Sequence, residues 1–244
     1  MSVYFIGASS FTTLTFSAAA FRLLAFAASS FASVTYTNQV DTAFTVSNTD
    51  LLQTNLSSAN PSPNAGSFQA ESIHGAPELT NGIFGAQGGS GSNGHQAASG
   101  DAGQSIDNVL DLSVATQGYS LTSIDTYAGW DSFRGGQSYT VAYSTVADPG
   151  TFINIATAFD DFSSITSGLN GNHNTHVNIV NPTGFLASNV ADIRFTFNGG
   201  LTYGFAGYRE LDVQGVPSVP EPASCVLFGL GAIGLCTVAR RRRA

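Results

Sequence analysis

The chain has 244 residues, 43 % hydrophobic and 10 % charged, with a formal net charge of −8. It contains no lysine, four of its eight basic residues are Arg240 to Arg243, and between Ser33 and Gly215 only Arg134, Arg194 and Arg209 stand against fifteen carboxylates. So acidic a body repels phosphate backbones, which excludes nucleic acid as a partner, and its wealth of Gly, Ser, Thr, Asn and Phe favours short strands over long amphipathic helices.

The first segment, residues 1–32, is apolar and rich in Ala, Ser and Phe. Ser30-Phe31-Ala32 puts small residues at −3 and −1 before Ser33, as a secretory signal peptide requires. Arg22 is the only basic residue there, so the segment reads either as an over-long start or as an atypical signal.

The body, residues 33–216, carries turn residues at short intervals and no internal repeat. In Ser138 to Ala147, Tyr139, Val141 and Tyr143 alternate with Thr140, Ala142 and Ser144, a strand pattern of period two. Asp148-Pro149-Gly150 then turns the chain into a second strand, Thr151 to Thr157. Ile106 to Val114, Leu121 to Ala128, Thr175 to Val180, Val190 to Phe197 and Gly207 to Val213 read likewise, and Gly88 to Gly103 reads as a mobile loop. Half-buried strands this frequent predict an all-β fold, a β-sandwich or jelly roll.

The body contains, in order, Leu79-Thr80-Asn81-Gly82, Ser123 to Trp130, Arg134 with Gln137 to Val141, Asp192 to Phe197, and Tyr208 to Val213. Over residues 80–215 this order resembles galactose-binding-like jelly rolls, the group of discoidin domains and many carbohydrate-binding modules. The resemblance implies glycan binding through loops at one end, without catalysis, and in many members a structural calcium held by an early loop and a late acid. The matching positions are Asn81, where relatives often carry Asp, and Glu210.

Trp130 follows a strand directly into the polar turn 131–136, so its ring either stacks on a sugar or closes the core. Arg134 either grips a hydroxyl pair or carboxylate, or pairs with a loop acid such as Asp131. Asn81 and Glu210 offer the hard oxygens that calcium prefers, unless Glu210 pairs with Arg209 instead. A structural calcium is therefore the one cofactor expected, if there is any. Arg194 and Arg209 lie among apolar strand neighbours and need acidic partners. His173 and His176 form HxxH in what reads as a loop, with no third ligand nearby. No residue stands out as catalytic: Gly88 to Ser92 lacks the last glycine of a nucleophile elbow, and paired carboxylates are set by space rather than by sequence.

The tail, residues 217–244, has three parts: Val219-Pro220-Glu221-Pro222-Ala223-Ser224, an apolar run to Ala239, and Arg240, Arg241, Arg242 and Arg243. This resembles the PEP-CTERM sorting signal, which implies an inner-membrane precursor, arginines inside, cut near Pro-Glu-Pro by an exosortase. Residues 223–239 as a helix span roughly 25 Å, a little under a typical hydrocarbon core, and the arginines after it belong on the cytoplasmic side. Gly229, Gly231 and Gly234 spell GxGxxG but follow no strand and leave no room for the acidic partner of a dinucleotide site. Cys225 and Cys236 share this run and lie too far apart along one helix to bridge.

These readings converge on an exported cell-envelope or extracellular protein that binds carbohydrate or exopolysaccharide without catalysis. A structural envelope or biofilm-matrix role and a glycoside-active enzyme are the alternatives.

Overall fold

The computed structural model describes residues 32–57, 62–65, 69–70, 76–85, 97–98, 102–130, 133–166 and 168–219. The signal segment before residue 32 and the tail beyond residue 219 lie outside the described residues.

Among the described residues eleven strands form two antiparallel layers. One layer holds β1 (Ser33–Val40), β3 (Gln69–Ala70), β4 (Ala97–Ala98), β6 (Tyr119–Trp130), β9 (His173–Val180) and β11 (Gly207–Pro217), in the order β1-β9-β6-β11-β4-β3. The other holds β2 (Ser62–Ala65), β5 (Ser105–Val109), β7 (Gln137–Thr145), β8 (Ile153–Asp160) and β10 (Ala187–Phe197), in the order β8-β7-β10-β5-β2. β10 joins them. Its first residues pair with β6 at Ala187↔Leu121 and Val190↔Tyr119, and after a register shift the rest pairs with β7 and β5. The result is the β-sandwich of jelly-roll type expected from the alternation.

The period-two pattern decides what is inside. Ile124 and Ala128 of β6, Val177 and Ile179 of β9, and Leu211 and Val213 of β11 meet Tyr139 and Val141 of β7 and Ile193, Phe195 and Phe197 of β10. Nearly all are fully buried, and at about 25 cal/mol per Å² this apolar area is the main force holding the layers together. One polar knot crosses the core: Thr126 Oγ1 donates to Gln137 Oε1 at 2.7 Å, while the Gln137 amide donates to the carbonyls of Thr126 and Thr175 at 3.0 and 3.1 Å. Buried and bonded in this way, these groups avoid the desolvation cost of an orphaned amide.

The outer face of the β9-β6-β11 layer is covered by residues 41–57. There Asp50 caps the short helix α1 (Leu51–Thr54), its Oδ1 accepting from Leu52 and Val213 N–H groups at 2.8 and 3.2 Å. Phe44 packs on Tyr127, Phe84 and His176, and Ser47 N–H donates to Asp212 at 2.7 Å. β1 was not legible in the sequence, because its side chains are largely exposed and show no apolar alternation. The expected mobile loop over 88–103 contains the two-residue strand β4, which pairs β11 with β3.

Strand register sets the polarity of the domain. Ser33 of β1 and Ser123 of β6 both pair with Val180, and Ser123 also pairs with Gln214 near the end of β11. At the other end, Val40 and Trp130 both pair with His173, and β11 begins beside Ala128. The start of β1 and the exit toward the tail therefore share one end, and residues 133–136 lie at the opposite end.

Candidate functional site

At that opposite end, β6 finishes at Trp130 and β7 begins at Gln137, with Phe133 to Gly136 described between them. Two glycines let this turn lie flat on the layer. A Cβ on Gly135 would overlap the His173 carbonyl, and one on Gly136 would come within 2.6 Å of the Asp160 carbonyl. The turn is pinned on both sides: Gly207 N–H donates to the Arg134 carbonyl at 3.0 Å, and Thr175 Oγ1 donates to the Gly135 carbonyl at 2.7 Å.

Arg134 itself has φ +65°, a left-handed conformation uncommon for any residue but glycine. Such a conformation costs of order 1 kcal/mol and persists only where its surroundings enforce it. The geometry it imposes is specific. The guanidinium carbon lies 4.2 Å from the Phe205 ring centroid and 5.0 Å from that of Phe133. Tyr203 packs against Phe133 at 5.6 Å. Phe133, Tyr203 and Phe205 are all half-buried. Arg134 Nε is buried without a hydrogen-bond partner. Among the described residues no carboxylate pairs with it. Asp131, the partner considered from sequence, lies outside them.

Trp130 does not share this surface. Its side chain is 2 % exposed, edge-on to Phe205 at 6.1 Å, and its ring lies where a Cβ on Gly207 would be. This corrects the expectation of a stacking tryptophan. The indole closes the sandwich and supports Phe205 from below, because β6 runs on through position 130 and keeps that side chain inside. The half-buried aromatics Phe133, Tyr203 and Phe205 were missed. The one signal in the sequence was that Tyr203 and Phe205 flank Gly204 in a glycine-rich turn; Phe133 carried none.

The other arginines are committed. Arg194 makes a bidentate pair with Asp107 at 2.6 and 2.8 Å and lies 3.8 Å from the Phe152 centroid. Arg209 is fully buried and donates to the Gly129 and Phe84 carbonyls at 3.0 and 2.9 Å, and burial lowers its pKa to about 10.

Asn81 and Glu210 do come together, because the turn after a short 3-10 helix, Ala76–Thr80, folds onto β11. Their donor chemistry does not fit a calcium ion. Asn81 Oδ1 accepts from Ile83 N–H at 2.8 Å, and its amide nitrogen donates to Glu78 at 2.8 Å. Glu210 accepts from Gln53 Nε2 at 2.7 Å and Ile83 N–H at 3.3 Å, with Gly82 N–H adding a third donor. A hard cation needs six or more oxygen lone pairs turned toward it, whereas these oxygens face N–H groups. Burial pushes the Glu210 carboxyl up to about 9, and Asp212 follows to about 7 for the same reason. Among the described residues no three of His, Cys, Asp and Glu are grouped to hold a metal.

His173 and His176 lie on strand β9 rather than in a loop, three positions apart and so on opposite faces. His173 is buried against Phe162 and Thr166 Oγ1, while His176 bonds Asp125 at 2.8 Å and stacks on Tyr127 at 4.6 Å.

Fold and site together define a β-sandwich with an arginine–aromatic cradle in the loops of one end. The chain carries the PEP-CTERM protein-sorting motif at residues 218–243, directly after β11, which marks a secreted protein processed at the membrane. Among the described residues no helix is long and apolar enough to cross a membrane. No curated protein matches the chain. Solved structures that are similar include the CBM32 carbohydrate-binding module of AlyQ in complex with 4,5-unsaturated mannuronic acid, at 14% identity and TM-score 0.31, covering 48% of this chain and 75% of that one. A second is CpGH89CBM32-5 from Clostridium perfringens in complex with GalNAc-beta-1,3-galactose, at 18% identity and TM-score 0.40, covering 66% of this chain and 99% of that one.

Proposed function

We propose that this exported sandwich binds carbohydrate, an extracellular glycan or exopolysaccharide, at the loop end built by Arg134, Phe133, Tyr203 and Phe205, and does so without catalysis. The observation that carries the reading is the Arg134 side chain, held over Phe205 by a left-handed backbone, with half-buried aromatic rings around it. Apolar ring faces beside a planar fork of N–H donors complement a sugar, whose C–H face stacks and whose oxygens accept hydrogen bonds. These groups hold and orient a ligand; none of them supplies the pair of carboxylates that glycoside hydrolysis uses.

Domain polarity supports the same reading. β11 runs eleven residues from Gly207, beside the cradle, to Pro217, where the sorting motif begins. At about 3.3 Å per residue this separates the cradle from the tail by roughly 30–35 Å. A tail held at the inner membrane before exosortase processing would leave the cradle at the end of the sandwich farther from Pro217.

The test is a glycan array probed with the full-length chain in detergent, beside its Phe205→Ala variant. Binding by the parent and its loss in the variant support the proposal. An array with no bound glycan sinks it, as does undiminished binding by Phe205→Ala.

A further inference from the structure

The three body arginines divide by what they touch. Arg194 is neutralised by Asp107, and Arg209 is buried among backbone carbonyls. Among the described residues Arg134 has neither arrangement: no carboxylate pairs with it, and its side-chain contacts are the two phenylalanine rings. A cation between two aromatic rings is partly desolvated, and a desolvated charge without a counter-charge is held at a cost.

The geometry also says which part of the cation is available. Phe205 and Phe133 lie close to the guanidinium carbon, and Nε is buried. The terminal Nη pair is the donor set that remains for a ligand, on a side chain that is only half-buried. Two parallel N–H groups on a planar fork match the two oxygens of a carboxylate, and the bidentate pair brings opposite charges together as well as two hydrogen bonds. A hydroxyl pair would satisfy the same donors yet leave the charge uncompensated. The surrounding chain favours this selectivity, because its net charge of −8 disfavours an anion everywhere except where a cation is held out to meet it.

From this geometry we infer that the cradle is selective for acidic sugars, with Arg134 gripping the carboxylate of a uronate while an aromatic face carries the ring. The inference rests on the carbohydrate-binding reading and narrows it to one ligand chemistry.

It is tested by titrating the full-length chain in detergent with matched oligosaccharides: oligogalacturonate, its carboxyl-reduced counterpart, and a sulfated neutral galactan. Arg134→Gln and Arg134→Lys variants run beside the parent. The uronate is expected to bind at least about tenfold more tightly than its reduced counterpart, a preference that Arg134→Gln abolishes and that the point charge of Arg134→Lys restores only in part. Equal or tighter binding of the reduced oligosaccharide overturns the inference and leaves the carbohydrate reading standing. Equal binding of the sulfated galactan overturns the carboxylate assignment, since the site then reads charge rather than shape. Binding of none of the three overturns the inference, and the carbohydrate reading falls with it only if the array also shows no bound glycan.

Discussion

Arg134 and Phe205 come from turns 71 positions apart in the chain, yet the guanidinium carbon of the first lies 4.2 Å from the ring centroid of the second. The link between the two turns is a backbone hydrogen bond, Gly207 N–H to the Arg134 carbonyl. The arginine is thus positioned by the β11 strand that ends at the sorting motif.

Replacing Arg134 by glycine separates its two roles. The left-handed φ is free for glycine, which recovers about 1 kcal/mol, while the lost cation–π contact removes a similar amount. Thermal unfolding of Arg134→Gly is expected within about 3 °C of the parent, with array binding lost. A fall of more than about 10 °C would show that Arg134 is a structural residue.

Gly207→Ala is expected to be severe. The added methyl must displace the Trp130 ring or the Gly129 carbonyl, 3.1 Å away, and overpacking of this kind costs about 1–3 kcal/mol. Circular dichroism melting should show a drop of roughly 3–10 °C together with weakened glycan binding, because Phe205 rests on the same indole. An unshifted melting curve would contradict the placement of Trp130.

Sequence reasoning reached the strands that alternate and missed what alternation does not encode. Tyr139 and Val141 show period two because one side of β7 faces the core, so β7 was legible. β1 is an edge strand with both faces largely wet, and nothing in Ser33 to Val40 records its pairing with β9. The site divided similarly. Arg134 stood out because basic residues are scarce, whereas Trp130 misled because a lone tryptophan before a polar turn looks the same whether its strand ends one residue earlier or later. Phe133, Tyr203 and Phe205 meet only through the packing of two distant turns.

Asp192 provides a pH test. Burial and the neighbouring Asp107 raise its carboxyl from 3.8 to about 6, and its Oδ1 has no partner. The folded state therefore favours the protonated form. The contribution is fully present below about pH 4 and is lost as pH rises through about 6. Asp192→Asn removes that loss, so the variant should melt roughly 2–4 °C above the parent at about pH 8, reflecting about 1 kcal/mol after allowing for partial exposure. The gap should close near pH 4. A gap that widens on acidification would reverse the assigned sign.

The arrangement around Glu210 predicts indifference to calcium. Removing divalent ions with EDTA, or adding millimolar calcium, should move the melting temperature by less than about 1 °C, because the buried Glu210 carboxyl oxygens already accept from Gln53, Gly82 and Ile83. A rise of several degrees with calcium would mean that these donors yield to the ion.

The central claim is that carbohydrate binds at the Arg134 end of the sandwich, away from the sorting motif. Hydrogen-exchange mass spectrometry of the full-length chain, with and without a glycan that it retains on the array, tests this most directly. Slowed exchange confined to residues 133–136 and 199–207 is the predicted result. Protection confined to Ser33–Val40 and the Pro217 end of β11, with the cradle unchanged, would contradict it.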